Sequence, residues 1–210
     1  MSLSGPPASR IRNARGDGGR LRDEIVDAAA TLLEGGNAES ITLRAVARTA
    51  GVTAPSIYRH FESVDAILRV VVERTFADLA LVLRVAAQSA AGVEQVWAVT
   101  HAYLAFAEEH PEQYRLLFGG AWDAANIDPS ELVEREERRN IGQDALLVLA
   151  DAISAASAAG SSSSTDHRSD AAALWVGLHG LATLRRATPL FPWPTTIEHD
   201  LIHALARLQK

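Results

Sequence analysis

Two pairs of aromatic and imidazole side chains stand one helical turn apart, Trp97 with His101 and Trp175 with His179. At i, i+4 spacing each pair sets a flat apolar surface beside a polar handle, the mixture that small-molecule pockets use. A buried imidazole needs a hydrogen-bond partner, and a ligand hydroxyl or carboxylate would supply one. Tyr103, Phe106, Tyr114, Phe118 and Trp122 lie on neighbouring segments and complete the candidate ligand contacts. Core packing is the plainer reading of any one of them taken singly. Taken together, their apolar and aromatic character points to a mostly apolar or aromatic small molecule rather than a sugar or a phosphate.

Other chemistry finds little support. His199 and His203 repeat the one-turn spacing, that of a two-histidine metal site, but no third ligand accompanies them and no metal is expected. The absence of cysteine excludes disulfides, thiolate nucleophiles and cysteine metal sites. There is no glycine-rich phosphate loop, no Gly-x-Ser-x-Gly elbow and no His-Glu-x-x-His. Glu108, Glu109 and His110 are the nearest approach to a catalytic cluster, yet they end a helix beside Pro111 and read as a solvated terminus and cap. Neither an enzymatic reaction nor a cofactor is expected.

The elements that must position these groups are helices. Leu21, Ile25, Ala28 and Leu32 mark one face of a helix over 21–35, stopped by Gly35-Gly36. Thr42 caps a short helix through Thr49, and Thr53 caps another in whose first turn Pro55 is tolerated. Ser63 opens a run to about Gln88, roughly 39 Å at the helical rise and long enough to bridge two lobes. Residues 93–109 are apolar nearly all round, as a helix in the middle of a bundle would be. Pro111 starts a short helix ended by Gly119-Gly120, and Asp128-Pro129 with Glu131 opens another through about Ala152. Residues 155–166 read as a flexible, low-complexity loop. A helix over 167–187 follows, then a proline-rich break, then a last helix to Leu208 opened by a Thr195–Glu198 capping box. No strand alternation appears, so the fold is all-α with about nine helices.

Composition bounds the rest. The 210 residues are 48% hydrophobic, and at this size a chain buries about 70% of its unfolded surface. No run of about 18 apolar residues is present, nor an apolar signal core, so a cytoplasmic protein with no membrane partner is expected. The formal net charge of −6 is unevenly spread, with 8 basic and 7 acidic residues over 1–62 against 12 and 19 over 63–210. The first 22 residues hold Arg10, Arg12, Arg15, Arg20 and Arg22 against Asp17 alone, in a stretch rich in Gly, Pro and Ser. Residues 1–20 are therefore expected to be a disordered basic arm.

Residues 43–62 have the internal logic of a helix-turn-helix. Ala47 is small where two helices cross, Gly51 is permissive at the turn, and Val46, Ala50, Val52 and Ile57 close a miniature core. One face of the second helix is left outward, bearing Ala54, Ser56, Arg59 and the tip of Tyr58, and sized for the major groove. Phe61 reads as core, Tyr58 as ring packed with its hydroxyl outward.

The stretch ITLRAVARTAGVTAPSIYRHFESVDAIL, residues 41–68, resembles the N-terminal signature of the TetR family of transcriptional regulators. The resemblance implies that Arg44 with Ala54, Pro55, Ser56 and Arg59 faces bases, while Thr42, Thr53, Tyr58 and His60 approach phosphates. The two readings of His60, packing and phosphate contact, stay open. One departure is Val64, where most relatives carry a lysine. More weakly, THAYLAFAEEHPEQYRLLFGG (100–120) and LWVGLHGLATL (174–184) resemble a regulatory domain of the type named for a Trp-His-Gly pattern. That likeness implies a ligand cavity among the fourth to eighth helices and a dimer formed mainly by the last two.

The expected organisation is an arm at 1–20, a DNA-binding domain at 21–66 and a ligand-binding and dimerisation domain at 67–210. The expected function is that of a homodimeric repressor, holding a palindromic double-stranded DNA operator until a small-molecule effector releases it. The competing reading is a ligand-binding or catalytic helical bundle whose N-terminal hairpin is structural.

Overall fold

The computed structural model describes residues 18–35, 41–118 and 140–209. Among them are nine α-helices: α1 Gly18–Glu34, α2 Leu43–Thr49, α3 Ala54–Tyr58, α4 Val64–Gln88, α5 Val93–Glu109, α6 Pro111–Phe118, α7 Gln143–Ala158, α8 His167–Ala187 and α9 Ile197–Leu205. No described helix is long and apolar enough to cross a membrane. The all-α expectation holds.

Two cores share the chain, and α4 runs through both. The N-terminal core joins Ile25, Ala29 and Leu33 of α1 to Val46 and Ala47 of α2, Ile57 of α3, and Ile67, Leu68, Val71 and Val72 of α4. From Leu79 onward α4 belongs to the second core, with Val99 and Tyr103 of α5, Leu149 and Ile153 of α7, Leu174 and Leu178 of α8, and Ile202 of α9. At about 1.5 Å per residue the helix is long enough to serve as the strut between them. An exposed fork ties it to α1, where the Arg74 guanidinium donates to Asp23 and, at 2.9 Å, to Asp27.

Short α6 also belongs to both cores. Leu116 and Leu117 are buried in the N-terminal one, whereas Tyr114 is buried in the second and Phe118 packs against both. Its Gln113 amide donates to Glu34 at the end of α1.

Several sequence expectations need correcting. α1 begins at Gly18, so residues 18–20 are helix rather than arm; Arg20 pairs with Glu24 at 3.1 Å, and the Arg22 guanidinium lies 4.9 Å from the centre of the Phe61 ring. Residues 1–17, with the other arm arginines, lie outside the described residues, as do the expected stop at Gly119-Gly120 and opening at Asp128-Pro129. A helix running unbroken past Ile141 is interrupted, because Gly142 adopts φ +81 and α7 starts after it; the Phe76 ring would lie 2.9 Å from a Cβ placed there.

The serine run is not a loose loop. Ser162 and Ser164 are buried, the Ser162 hydroxyl donates to the Ala206 carbonyl at 2.8 Å, and the Ser164 hydroxyl donates to Asp170 at 2.7 Å. Backbone bonds from Ser163 to Arg207 and from Gln209 to Ser161 close a short bridge that pins the segment after α9. Serine hydroxyls here take the place of apolar side chains by satisfying backbone groups.

The Thr195–Glu198 capping box also fails. Thr196 is the N-cap of α9 and makes no side-chain cap bond, and Glu198 is instead drawn to Arg185 at 2.8 Å and to His101 at 3.4 Å. The apolar residues of α9 are spent within the chain. Ile202 is fully buried, and Leu201 and Leu205 sit over Gly177 of α8, where a Cβ would fall 2.5 Å from Leu205 Cδ1.

Candidate nucleic-acid interface and effector cavity

The helix-turn-helix forms as its residue types require. Thr42 accepts from the Ala45 amide and caps α2, Ala47 is buried at the crossing, and Gly51 takes φ +66 at the turn. The Val52 amide then bonds the Ala47 carbonyl, and Ile57 drops into the core. Thr53 precedes α3 without capping it, its hydroxyl instead sharing a 2.9 Å bond with Ser56. Ser63 caps α4 through the Ala66 amide.

This packing leaves one exposed surface. Thr42 and Arg44 from α2 join Thr53, Pro55, Tyr58 and Arg59 around α3, and the exposed Arg48, missed in the sequence, extends the basic set. Ala54, Ser56 and His60 are half-buried, and Ala54 packs on the N-terminal core. Phe61 is core as expected. Tyr58 differs from expectation, being 60% exposed, so its ring as well as its hydroxyl is available to a partner. Val64 packs half-buried on the core, so the absence of a lysine there removes a cation without leaving a gap.

A cavity of about 590 Å³ opens between α5, α6 and α8. Of the candidate ligand residues it brings together Tyr114, Phe118 and His179. Behind this wall stands a buried polar chain, in which the Tyr103 hydroxyl bonds the Tyr114 hydroxyl at 2.9 Å and the latter bonds His179 Nδ1 at 2.9 Å. Burial pushes Tyr114 up to about 12, raises Tyr103 further and holds His179 below the ordinary imidazole range. Trp175 supports the chain from the core side, edge-on to Tyr103 and Phe118 at 6.5 and 6.4 Å between ring centres.

The remaining candidates lie elsewhere. Trp97 stacks on His199 of α9 at 5.1 Å, away from the cavity lining. His101 is 59% exposed rather than buried and faces Glu198, so neither it nor Trp97 joins His179 at the cavity. Phe106 is buried against His110. Trp122 lies outside the described residues.

The sequence reading missed the cavity's rim. Arg115 of α6 and Arg185 and Arg186 of α8 line it with Glu108, over an inner surface that includes Leu104, Ala107 and Ala182. The signal was present as helical spacing, because His179, Ala182, Thr183 and Arg186 share one face of α8. His199 and His203 stack at 5.8 Å, and among the described residues no group of three or more metal-ligating side chains is assembled.

These geometries have known counterparts. Residues 25–71 match the family described as bacterial regulatory proteins, tetR family, and residues 96–208 match the tetracyclin repressor-like C-terminal domain. The chain belongs to the TetR family, whose members are transcriptional regulators and not enzymes. The C-terminal match names no Trp-His-Gly subtype. An uncharacterized HTH-type transcriptional regulator of Mycobacterium tuberculosis, Rv0681, is 31% identical over 103 residues, 47% of each chain, so the likeness spans about half the length of that relative. A Rhodococcus sp. RHA1 protein of unknown function superposes with a TM-score of 0.69 at 26% identity, covering 89% of this chain and 91% of its own. The structure of a SmeT–triclosan complex superposes at 0.61 and 20% identity, over 91% and 93% of the two chains, a likeness of fold.

Proposed function

We propose that the protein is a ligand-released repressor that binds a palindromic operator as a homodimer. The observation that carries this reading is α6, one helix that forms a wall of the cavity with Tyr114 and Phe118 and buries Leu116 and Leu117 in the core of the DNA-binding head. An effector that displaces Tyr114 or Phe118 must shift α6, and with it the seat of α1 and α4. In a dimer that shift changes the spacing of the two α3 helices, and affinity for two half-sites one DNA turn apart falls. The effector does this only if it binds the released spacing more tightly than the DNA-bound one.

The cavity lining favours α6 as the first element to move, with α4 following through their shared core. The triclosan complex of a similarly folded protein supports a mostly apolar effector by analogy of fold. The exposed apolar residues Val176 and Leu184 and the open surface at Gly180 support a dimer face on α8, with α9 as its buttress.

The test is a gel shift of the protein against its own upstream intergenic DNA. Retardation of a palindrome-bearing fragment, weakening steeply as salt rises, is the expected result. Failure to retard any promoter fragment at low salt overturns the repressor reading.

A further inference from the structure

We propose that the cavity selects molecules that carry a carboxylate on an apolar or aromatic body. This rests on the reading of the cavity as the effector site, and it names the chemistry of the head group. Two independent features of the lining lead to it.

The first is the direction of the buried hydrogen-bond chain. Tyr103 is fully buried, and among the described residues its hydroxyl has no acceptor besides Tyr114; the nearby Trp175 indole can only donate. If His179 Nδ1 carried a proton and donated to Tyr114, the Tyr114 proton would either be left without an acceptor among the described residues or turn to Tyr103. In the latter case the Tyr103 proton would point into the core with no other acceptor among the described residues, a costly arrangement. The chain therefore runs the other way, with Tyr103 donating to Tyr114 and Tyr114 donating to Nδ1. The neutral imidazole carries its one proton on Nε2 and offers the cavity a donor. A ligand there must present an acceptor.

The second feature is the rim. Arg115, Arg185 and Arg186 line it, and among the described residues the lining holds a single carboxylate, the exposed Glu108. Glu112, beside the cavity, is divided between two of the guanidiniums, with Oε1 on Arg186 at 2.7 Å and Oε2 on Arg115 at 3.0 Å. Arg185 is held by Glu198. Arg115 and Arg186 are both about half exposed, and with one carboxylate between them each keeps N–H groups for a further acceptor. Guanidinium geometry matches a carboxylate in two parallel bonds, which an alcohol cannot reproduce and an amine opposes. The interior below them is built from Leu104, Ala107, Phe118 and Ala182, which suits an apolar body.

The experiment titrates the full-length protein by calorimetry with three probes of one shape, 2-naphthoate, 2-naphthylmethanol and 2-naphthylmethylamine, and repeats the series with decanoate, decanol and decylamine. The carboxylate of at least one series is expected to bind about tenfold or more tighter than its alcohol, with the amine weakest. Arg115→Gln with Arg186→Gln, both on exposed side chains, should bring the carboxylate down to the alcohol's affinity and leave the alcohol unchanged. An alcohol or amine that binds as tightly as the acid overturns the head-group inference alone, as does a preference that survives the double substitution. If no probe of either series binds, both this inference and the effector-cavity reading fall.

Discussion

Arg44 and Arg59 stand exposed on opposite sides of the turn at Gly51, the only connection between a short α2 and a shorter α3. Each can form a fork on a guanine edge, and a good bidentate contact is worth about 1–3 kcal/mol of discrimination. Arg44→Ala should therefore weaken binding to the best operator fragment by roughly 5- to 150-fold and flatten the preference among single-base variants, as read by competition gel shift. Uniform weakening across all variants would make Arg44 a phosphate contact instead. Inside the cavity wall, Tyr114→Phe removes the acceptor of the Tyr103 proton and the donor to His179 together. It should cost about 1–3 kcal/mol in urea unfolding, more than Tyr103→Phe, which leaves the Tyr114–His179 bond in place. Because burial lowers the affinity of His179 for a proton in the folded state, the unfolded chain protonates first as pH falls through the ordinary imidazole range. Stability from this residue is then complete above about pH 7 and declines below the unfolded value near 6.5. Unfolding curves for the protein and for His179→Gln, compared between pH 7.5 and 5.5, should show a smaller loss in the variant. At this scale the sequence was informative about side chains whose neighbours lie on the same helix. His101 escaped it, because only the tertiary approach of Glu198 on α9 reveals that its face of α5 looks outward.

The helix-turn-helix was legible because its constraints are local: a cap at Thr42, a small residue at the crossing and a positive φ at Gly51 all lie within a few residues of one another. The long strut of α4 was legible too, since its apolar repeat persists through both cores. What stayed hidden depended on partners distant in the chain. The serine run looks unstructured until the backbone of residues 206–209 arrives to exchange hydrogen bonds with it, and the Thr195–Glu198 pattern looks like a cap until Arg185 and His101 compete for the acid. Gly177 shows how tightly the last elements depend on such contacts. Gly177→Val would drive new methyl groups into Leu205 and Leu201 and lift α9 from α8. Overpacking of this kind costs about 1–3 kcal/mol, enough to lower the thermal midpoint by several degrees in a scanning experiment. Gly180→Ala, one turn on with nothing within 4 Å of the added Cβ, should leave the monomer's fold intact and serves as the control.

For the whole molecule the question is how a chain of net charge −6 holds DNA. The segment 63–210 carries 19 acidic against 12 basic residues, while 1–62 carries 8 basic against 7 acidic, so the acidity resides in the body and the head is close to neutral. A head so weakly charged gains little from non-specific phosphate attraction, and its affinity must come from placing two heads on one operator at once. That argument makes dimerisation a condition of the proposed function, and the exposed apolar surface is the face on which we propose it. Val176 is 73% exposed and Leu184 is 47% exposed on α8, with Leu190 and Phe191 exposed just beyond its end. Val176 and Leu184 lie two turns apart on one face of α8, and large apolar residues exposed along one face suit an interaction surface. Val176→Glu combined with Leu184→Glu should therefore yield a folded monomer, with an unchanged helical circular-dichroism spectrum and a later elution in size-exclusion chromatography with light scattering. Losing the second head should weaken operator binding by about 10²- to 10⁴-fold while leaving effector affinity within a few-fold, because the cavity lies on the α5–α6 side of α8. A double variant that remains dimeric would place the interface on another face, and a monomer that binds the operator undiminished would show that one head suffices and remove the reason for the two-fold arrangement.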